Sequence, residues 1–261
     1  MIKNRLIIFS ICLLPIFIAN KLNAQNTFIA KYNFTHLRDT SQPLNVYTEE
    51  MMLLTNNQTA LYKSYVLFSF DSLLNNINSL KSNNIINVPK GTSEQIFTNY
   101  ATNQIIIIRP WLEDTFGIKL PFQEINWKLL DTSIVIGTLK CNKAIGEFKG
   151  RIYTCWYCPE ITTRSGPWKL FGLPGLIINA SDEKNQISFK LNSIRQIKDV
   201  EINLPKNISY ITENKFTEIK EAFLANPNAA LGGDLQIGNT NFQKNGNGKT
   251  KSKLNNPLEL N

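Results

Sequence analysis

Phe28, Ala30, Tyr32 and Phe34 recur at every second position, the period of a half-buried strand. Segments of the same kind return at short intervals with turn residues between them. Residues 46–54 and 59–64 predict a hairpin around Asn56-Asn57, because asparagine tolerates the left-handed conformations of tight turns. Residues 96–100 and 105–109 predict a second pair across Thr102-Asn103, and four successive isoleucines, Ile105 to Ile108, imply a strand covered on both faces. Residues 117–120, 124–130 and 133–139 extend the meander, the last two joined at Asp131-Thr132. Residues 176–180 and 187–191 form another hairpin that turns at 181–185, with 193–200 as its prolongation. Such a pattern argues for an antiparallel sheet and against alternating strand–helix units.

Two stretches read as helices. In residues 65–80, Leu67, Phe70, Leu73, Leu74 and Ile77 fall near helical spacing. In residues 216–226, Phe216, Ile219, Phe223 and Leu224 share a face, Thr212 or Asn214 supplies a cap, and Pro227 ends the helix. The expected fold class is therefore mainly antiparallel β (α+β). Its expected shape is a curved sheet or half-barrel, with one or two short helices closing the concave side. At the level of architecture alone this is like the periplasmic lipoprotein-carrier folds.

The amino end has the layout of a secretory signal peptide: Lys3 and Arg5, an apolar run from Leu6 to Ala19, and Leu22-Asn23-Ala24 before the cut. The run is shorter than the roughly 20 residues of a spanning helix. The expected organisation is a leader at 1–24, one β-rich domain at 25–229 and a flexible basic tail at 230–261. Within the tail, residues 254–261 are an apolar exception placed to dock back on the body. Of the formal charge of +8, Lys3, Arg5 and Lys21 belong to the leader, which leaves +5. Much of that remainder sits in the tail as Lys244, Lys249, Lys251 and Lys253, without the interleaved aromatics of a nucleic-acid surface, so no nucleic-acid partner is expected. No transmembrane segment is expected after leader cleavage. The location implied is the periplasm, the cell surface or the extracellular space.

Residues 155–179 concentrate aromatics, prolines and glycines. Leu173-Pro174-Gly175-Leu176 reads as a type II turn, with Pro174 presetting φ and Gly175 supplying a positive φ. Gly166, Pro167 and Gly172 add further changes of direction. The stretch serves either as a structural corner or as a loop facing a ligand. The ligand-facing candidates are Trp156, Trp168, Phe171, Leu173 and Leu176, with Glu160 as a polar contact.

Gly172-Leu-Pro-Gly-Leu-Ile177, preceded by Gly166-Pro167-Trp168, Trp156-Tyr157 and Pro159-Glu160-Ile161, resembles the signature of the GLPGLI family, secreted proteins of Bacteroidota. The resemblance extends through Trp127, Ile136-Gly137, Cys141, Lys143-Ala144 and Gly150-Arg151 to Asn256-Pro257-Leu258-Glu259. It implies export and carries no biochemical role with it. Members usually keep a cysteine near Cys141 and other residues at the positions of Cys155 and Cys158.

Once the leader with Cys12 is removed, Cys141, Cys155 and Cys158 remain, an odd number in an oxidising compartment. A tight turn at Lys149-Gly150 sets Phe148 opposite Arg151, Ala144 opposite Cys155 and Cys141 opposite Cys158. Cys141–Cys158 is thus one disulfide candidate and Cys155–Cys158 the other. The Cys155-Trp-Tyr-Cys158 spacing also admits thiol-redox chemistry or a soft-metal site as alternatives. With His36 as its single histidine and no nucleophile-elbow or phosphate-loop pattern, the leading expectation includes no catalytic residue, metal or cofactor. The leading expectation is a non-catalytic envelope protein that binds an apolar or peptide-like ligand or an outer-membrane partner. A purely structural envelope component is a further alternative.

Overall fold

The computed structural model describes residues 26–77, 89–198, 200–226 and 255–260. The leader expected at 1–24 and residues 230–254 and 261 of the tail lie outside them.

One unclosed sheet of twelve strands carries the fold. In chain order these are β1 (Thr27–His36), β2 (Tyr47–Thr55), β3 (Thr59–Ser64), β4 (Gln95–Asn99), β5 (Gln104–Trp111), β6 (Asp114–Leu120), β7 (Lys128–Ile136), β8 (Leu139–Phe148), β9 (Arg151–Cys158), β10 (Leu176–Asp182), β11 (Ile187–Ile197) and β12 (Ser209–Tyr210). Their spatial order is β12-β6-β5-β4-β3-β2-β1-β11-β10-β9-β8-β7. Every pairing is antiparallel except that of the short β12 with β6. Two antiparallel meanders, β1 to β6 and β7 to β11, are thus joined where β1 pairs with β11. The curved, mainly antiparallel sheet is the architecture that the period-two pattern implies.

Alternation decides which side chains enter the core. Ala30 and Tyr32 are fully buried and Phe34 nearly so on the inner face of β1, as their spacing requires. The isoleucine run of β5 is covered on both faces. Ile105 and Ile107 join the main core, while Ile106 and Ile108 pack with Leu61, Phe97 and Ile202 beneath Leu204 and Ile208 on the other side. The turn at Lys149-Gly150 has positive φ at both central residues, 50° and 72°, and sets Phe148 opposite Arg151 and Ala144 opposite Cys155, as expected.

The turn expected at Asp131-Thr132 is not there. Asp131 and Thr132 do not reverse the chain; they form a two-residue bulge inside β7, between the pairs Leu130↔Lys143 and Ser133↔Asn142. The reversal comes at Gly137, whose φ of 61° starts the turn into β8. Gly137 is the residue here that reaches positive φ without a Cβ penalty, which outweighs the polar character of Asp131-Thr132.

Helix α1 (Tyr65–Ile77) and helix α2 (Glu213–Ala225) occupy the two predicted stretches, and the Thr212 hydroxyl caps α2 by accepting from Lys215 N. They do not jointly close the concave side. α2 inserts Phe216 into the main core against Trp111 and Phe116. α1 lies on the outer face, where Tyr65 and Phe68 stack under Lys31 and Lys63. The inner face is filled instead by residues 159–175. Thr163 donates to Asn56 O at 3.2 Å, tying this segment across to the β2–β3 hairpin, while just beyond it Tyr32 of β1 donates its hydroxyl to Ile177 O of β10 at 2.7 Å.

Candidate ligand cavity

Residues 159–175 connect β9 to β10 and run through the core, so their backbone needs internal partners. Gly172 N donates to Arg164 O at 2.8 Å, Leu176 N to Ile161 O at 3.3 Å and Ile177 N to Ser165 O at 3.0 Å. The predicted type II turn is replaced by a tighter one. Gly175 N bonds to Leu173 O at 2.8 Å across Pro174, a three-residue γ-turn, and Gly175 takes a φ of 146°. Gly166 serves close packing, since a Cβ there would meet Leu170 O at 2.5 Å.

The candidate ligand residues separate. Phe171, Leu173 and Leu176 are core, at 3%, 1% and 0% exposure, and present no surface to a ligand. Trp156 lies on the opposite face of β9 from Tyr153 and Cys155, beneath the Lys143 ammonium at 5.7 Å. Glu160 is exposed on the turn after β9. Trp168 remains, and it lines a cavity.

That cavity has a volume of about 460 Å³. Its apolar wall is Ile105, Ile107, Leu120, Phe148 and Trp168, drawn from β5, the end of β6, the end of β8 and the inserted segment. Its rim carries Arg109, Lys149 and Lys169 against Glu94, Glu213 and Glu259. The rim charges are paired: Arg109 Nε with Glu94 at 2.7 Å, Arg109 Nη1 with Glu213 at 2.5 Å, Lys149 with Glu259 at 3.8 Å, and Lys169 with Glu259. Beyond the Arg109–Glu213 pair lies a second depression of about 560 Å³ between α2 and the end of β5, lined by Trp111, Phe216 and Leu224.

Trp168 is held in a costly conformation. Its φ of 56° is left-handed, which costs a residue with a Cβ on the order of 1 kcal/mol or more. The ring stacks on Phe189 at 6.4 Å, meets Phe148 edge-on at 5.7 Å and leans on Tyr153 at 6.5 Å, and these contacts offset the strain.

The cysteines do not form the expected bond. Cys141, Cys155 and Cys158 are all free and buried. Cys141 faces Cys158 by continuation of the β8–β9 register, but its thiol donates to Leu139 O at 3.5 Å within its own strand. Burial pushes the Cys141 thiol up to about 11, with the neighbouring Cys158 adding to the effect, and burial alone drives Cys155 strongly upward. Both shifts are opposite to those of reactive thiols. Among the described residues no group of three or more His, Cys, Asp or Glu side chains comes together to hold a metal ion. No helix among them is long and apolar enough to cross a membrane.

Sequence reasoning missed Phe148, Lys149, Lys169, Arg109 and the contribution of Leu258 and Glu259. Their convergence depends on bringing β5 across from the β8–β9 turn, and no local periodicity reports such a meeting.

No family model matches the chain, and no curated protein matches it either. Solved structures do. The structure of PNGF-II in space group P21 superposes with a TM-score of 0.54 at 13% identity, covering 74% of this chain and 33% of that one. The same protein in space group C2 gives 0.53, 14%, 74% and 32%. The chain thus corresponds to about a third of the length of PNGF-II, and at this identity the likeness is one of fold.

Proposed function

We propose that this chain is a non-catalytic binding protein of the cell envelope and that its ligand, apolar or peptide-like, enters the cavity at Trp168. The observation that carries this reading is the cavity itself: about 460 Å³ with an apolar wall and a rim of both charge signs. Pockets of this size and lining ordinarily hold small ligands, the wall providing burial and the rim orientation. An apolar body suits Ile105, Ile107, Leu120 and Phe148, and the partial charges of a peptide backbone suit a rim where cations and carboxylates alternate. The strained backbone of Trp168 agrees with a ligand clamp, where such strain tends to collect. Export rests on the layout of residues 1–24 and on the resemblance to GLPGLI proteins. The buried thiols, with Cys141 and Cys155 shifted away from reactivity, favour this reading over thiol-redox chemistry.

The test is fluorescence titration of the chain with anilinonaphthalene sulfonate and with short apolar peptides, compared with a Gln123→Trp variant. Gln123 is exposed at the mouth, so the variant obstructs entry without entering the core. Saturable one-to-one binding that the variant weakens at least tenfold is expected. Binding unaffected by Gln123→Trp would place the ligand elsewhere and sink the proposal.

A further inference from the structure

Two ion clusters stand on the rim of the Trp168 cavity, and they are unequal. Arg109 faces two carboxylates: its Nε donates to Glu94 Oε2 at 2.7 Å and its Nη1 to Glu213 Oε1 at 2.5 Å. Glu259 faces two ammonium groups, Lys149 at 3.8 Å from one oxygen and Lys169 on the other. One cluster therefore sets a single cation against two acids, and the other sets two cations against a single acid. Among the described residues no ion pair joins the two clusters.

The clusters lie at different ends of the apolar wall. Arg109 follows Ile107 by two positions on β5, so both project from the same face of one limb of the sheet. Lys149 follows Phe148 in the β8–β9 turn on the other limb, and the Lys169 ammonium stands 5.6 Å from the centre of the Trp168 ring. The second depression, beside α2, is bordered by Glu94, Arg109 and Glu213 and by none of Lys149, Lys169 and Glu259. The acid-rich cluster is thus on the α2 side of the cavity, and the lysine-rich cluster is away from it.

Neither cluster is saturated. Arg109 takes one oxygen of each carboxylate, so Glu94 Oε1 and Glu213 Oε2 keep their capacity to accept. Lys169 commits one of its three N–H groups to Glu259, and Lys149 at 3.8 Å is paired by charge alone, so both lysines keep donors for an anion. Glu259 itself is wall: it belongs to residues 255–260, which Arg151 fastens to the body by donating to Asn256 Oδ1 at 2.5 Å and Pro257 O at 2.6 Å.

A ligand that complements this rim is apolar in its middle, cationic at one end and anionic at the other. We infer that the Trp168 cavity takes a short apolar peptide with both termini free, its ammonium at Glu94 and Glu213 and its carboxylate at Lys149 and Lys169. The inference rests on the reading of that cavity as the ligand site and names the class of ligand. Burial of the apolar side chains against Ile107 and Phe148 supplies the attraction, and the two clusters set the direction of the chain. A fatty acid matches the lysine-rich cluster alone, and a neutral lipid matches neither.

The test titrates the full chain by calorimetry with leucine peptides of two to four residues, which span about 7–14 Å when extended. The peptide that binds best is compared with its N-acetyl form, which lacks the ammonium, and its C-amide form, which lacks the carboxylate. Each capped form is expected to bind at least about fivefold more weakly than the free peptide. Glu213→Gln should close the gap between free and N-acetyl peptide while leaving the gap to the amide, and Lys149→Gln should do the reverse. Each variant is scored by a ratio between two peptides on one protein, so partial loss of folded chain cannot imitate a one-sided effect. Capped peptides that bind as tightly as the free one, all of them weakened by Gln123→Trp, would retain the cavity and overturn the inference. So would leucine peptides that fail to bind while anilinonaphthalene sulfonate binds and Gln123→Trp weakens it. Cap effects that neither Glu213→Gln nor Lys149→Gln changes would place the charges elsewhere and overturn the assignment. Indifference of every probe to Gln123→Trp would remove the cavity reading, and the inference with it.

Discussion

A Cβ placed on Gly175 would stand 2.2 Å from the carbonyl oxygen of Cys158 and 2.8 Å from Pro159 Cα. The start of β10 thus touches the end of β9 backbone to backbone, and the whole inserted segment leaves and re-enters the sheet at this contact. Two penalties meet there, a φ of 146° and a steric overlap with atoms that cannot rotate away. Gly175→Ala is expected to cost about 3 kcal/mol or more, combining backbone strain with overpacking. Gly137 is the control, because its φ is 61° and nothing lies within 4 Å of the added atom, so Gly137→Ala should cost only about 1 kcal/mol. Urea unfolding midpoints measure the difference, and equal shifts would rule out the close approach as the cause.

The pairing of Arg151 with Asp182 is buried, and breaking such a pair from one side leaves an uncompensated charge. Asp182→Ala is expected to destabilise by about 3–5 kcal/mol. It also removes the acceptor of Ile187 N and so loosens the β10–β11 turn. Lys215→Ala provides the contrast. Its pair with Glu218 is exposed on both sides and three residues apart on α2, so no more than about 0.5 kcal/mol should be lost. Thermal unfolding of the two variants beside the parent chain checks the ordering.

How much of this was legible in the chain depends on the range of the contact. Period-two alternation located β1, and Lys149-Gly150 fixed the β8–β9 register to the residue, because both signals are local and steric. The isoleucine run told of burial on both faces, since no polar position interrupts it. The reversal at Gly137 was hidden by Asp131-Thr132, whose turn-like composition serves a bulge equally well. The composition of the inserted segment fits a structural corner and a ligand-facing loop equally, because glycine, proline and aromatic residues mark both. Only the fold shows that Phe171, Leu173 and Leu176 are closed off in the core while Trp168, itself buried against Phe148 and Phe189, also borders a cavity. Arg109, Lys149 and Lys169 could not be grouped from sequence, since each stands in a different element and meets the others only across the curve of the sheet.

His36 is the only histidine of the chain. It is buried at the end of β1, and desolvation holds its pKa below the ordinary 6.5; Arg38 and Arg151 reinforce this, while the bond to Asn256 and the charge of Asp182 oppose it. The unfolded chain therefore takes up the proton first. Stability should be fully present above about pH 6.5 and decline as pH falls through the folded-state value. Glu49 adds a later loss. Burial alone would raise its carboxyl, but hydrogen bonds from Thr92, Tyr47 and Ser64 hold it below 4.5, so its contribution disappears only in stronger acid. In chemical unfolding from pH 7 to pH 5, His36→Gln should flatten the slope that the parent chain shows. A slope unchanged by the variant would assign the effect to carboxylates.

Three buried thiols in one chain make a direct prediction about reactivity. Burial pushes Cys141 up to about 11 and Cys155 further, so almost no thiolate exists at neutral pH, and the side chains are closed to solvent. In its native state the chain should react with a charged aromatic disulfide reagent at rates set by unfolding, not by the reagent concentration. In denaturant, without prior reduction, the chain from residue 25 onward, which lacks Cys12, should titrate three thiols, Cys141, Cys155 and Cys158. A count of one would reveal a disulfide, and peptide mapping would then decide its partners. A Cys141–Cys158 bond would follow the β8–β9 register and change little else. A Cys155–Cys158 bond would require β9 to bend, because alternation sends residues three apart to opposite faces.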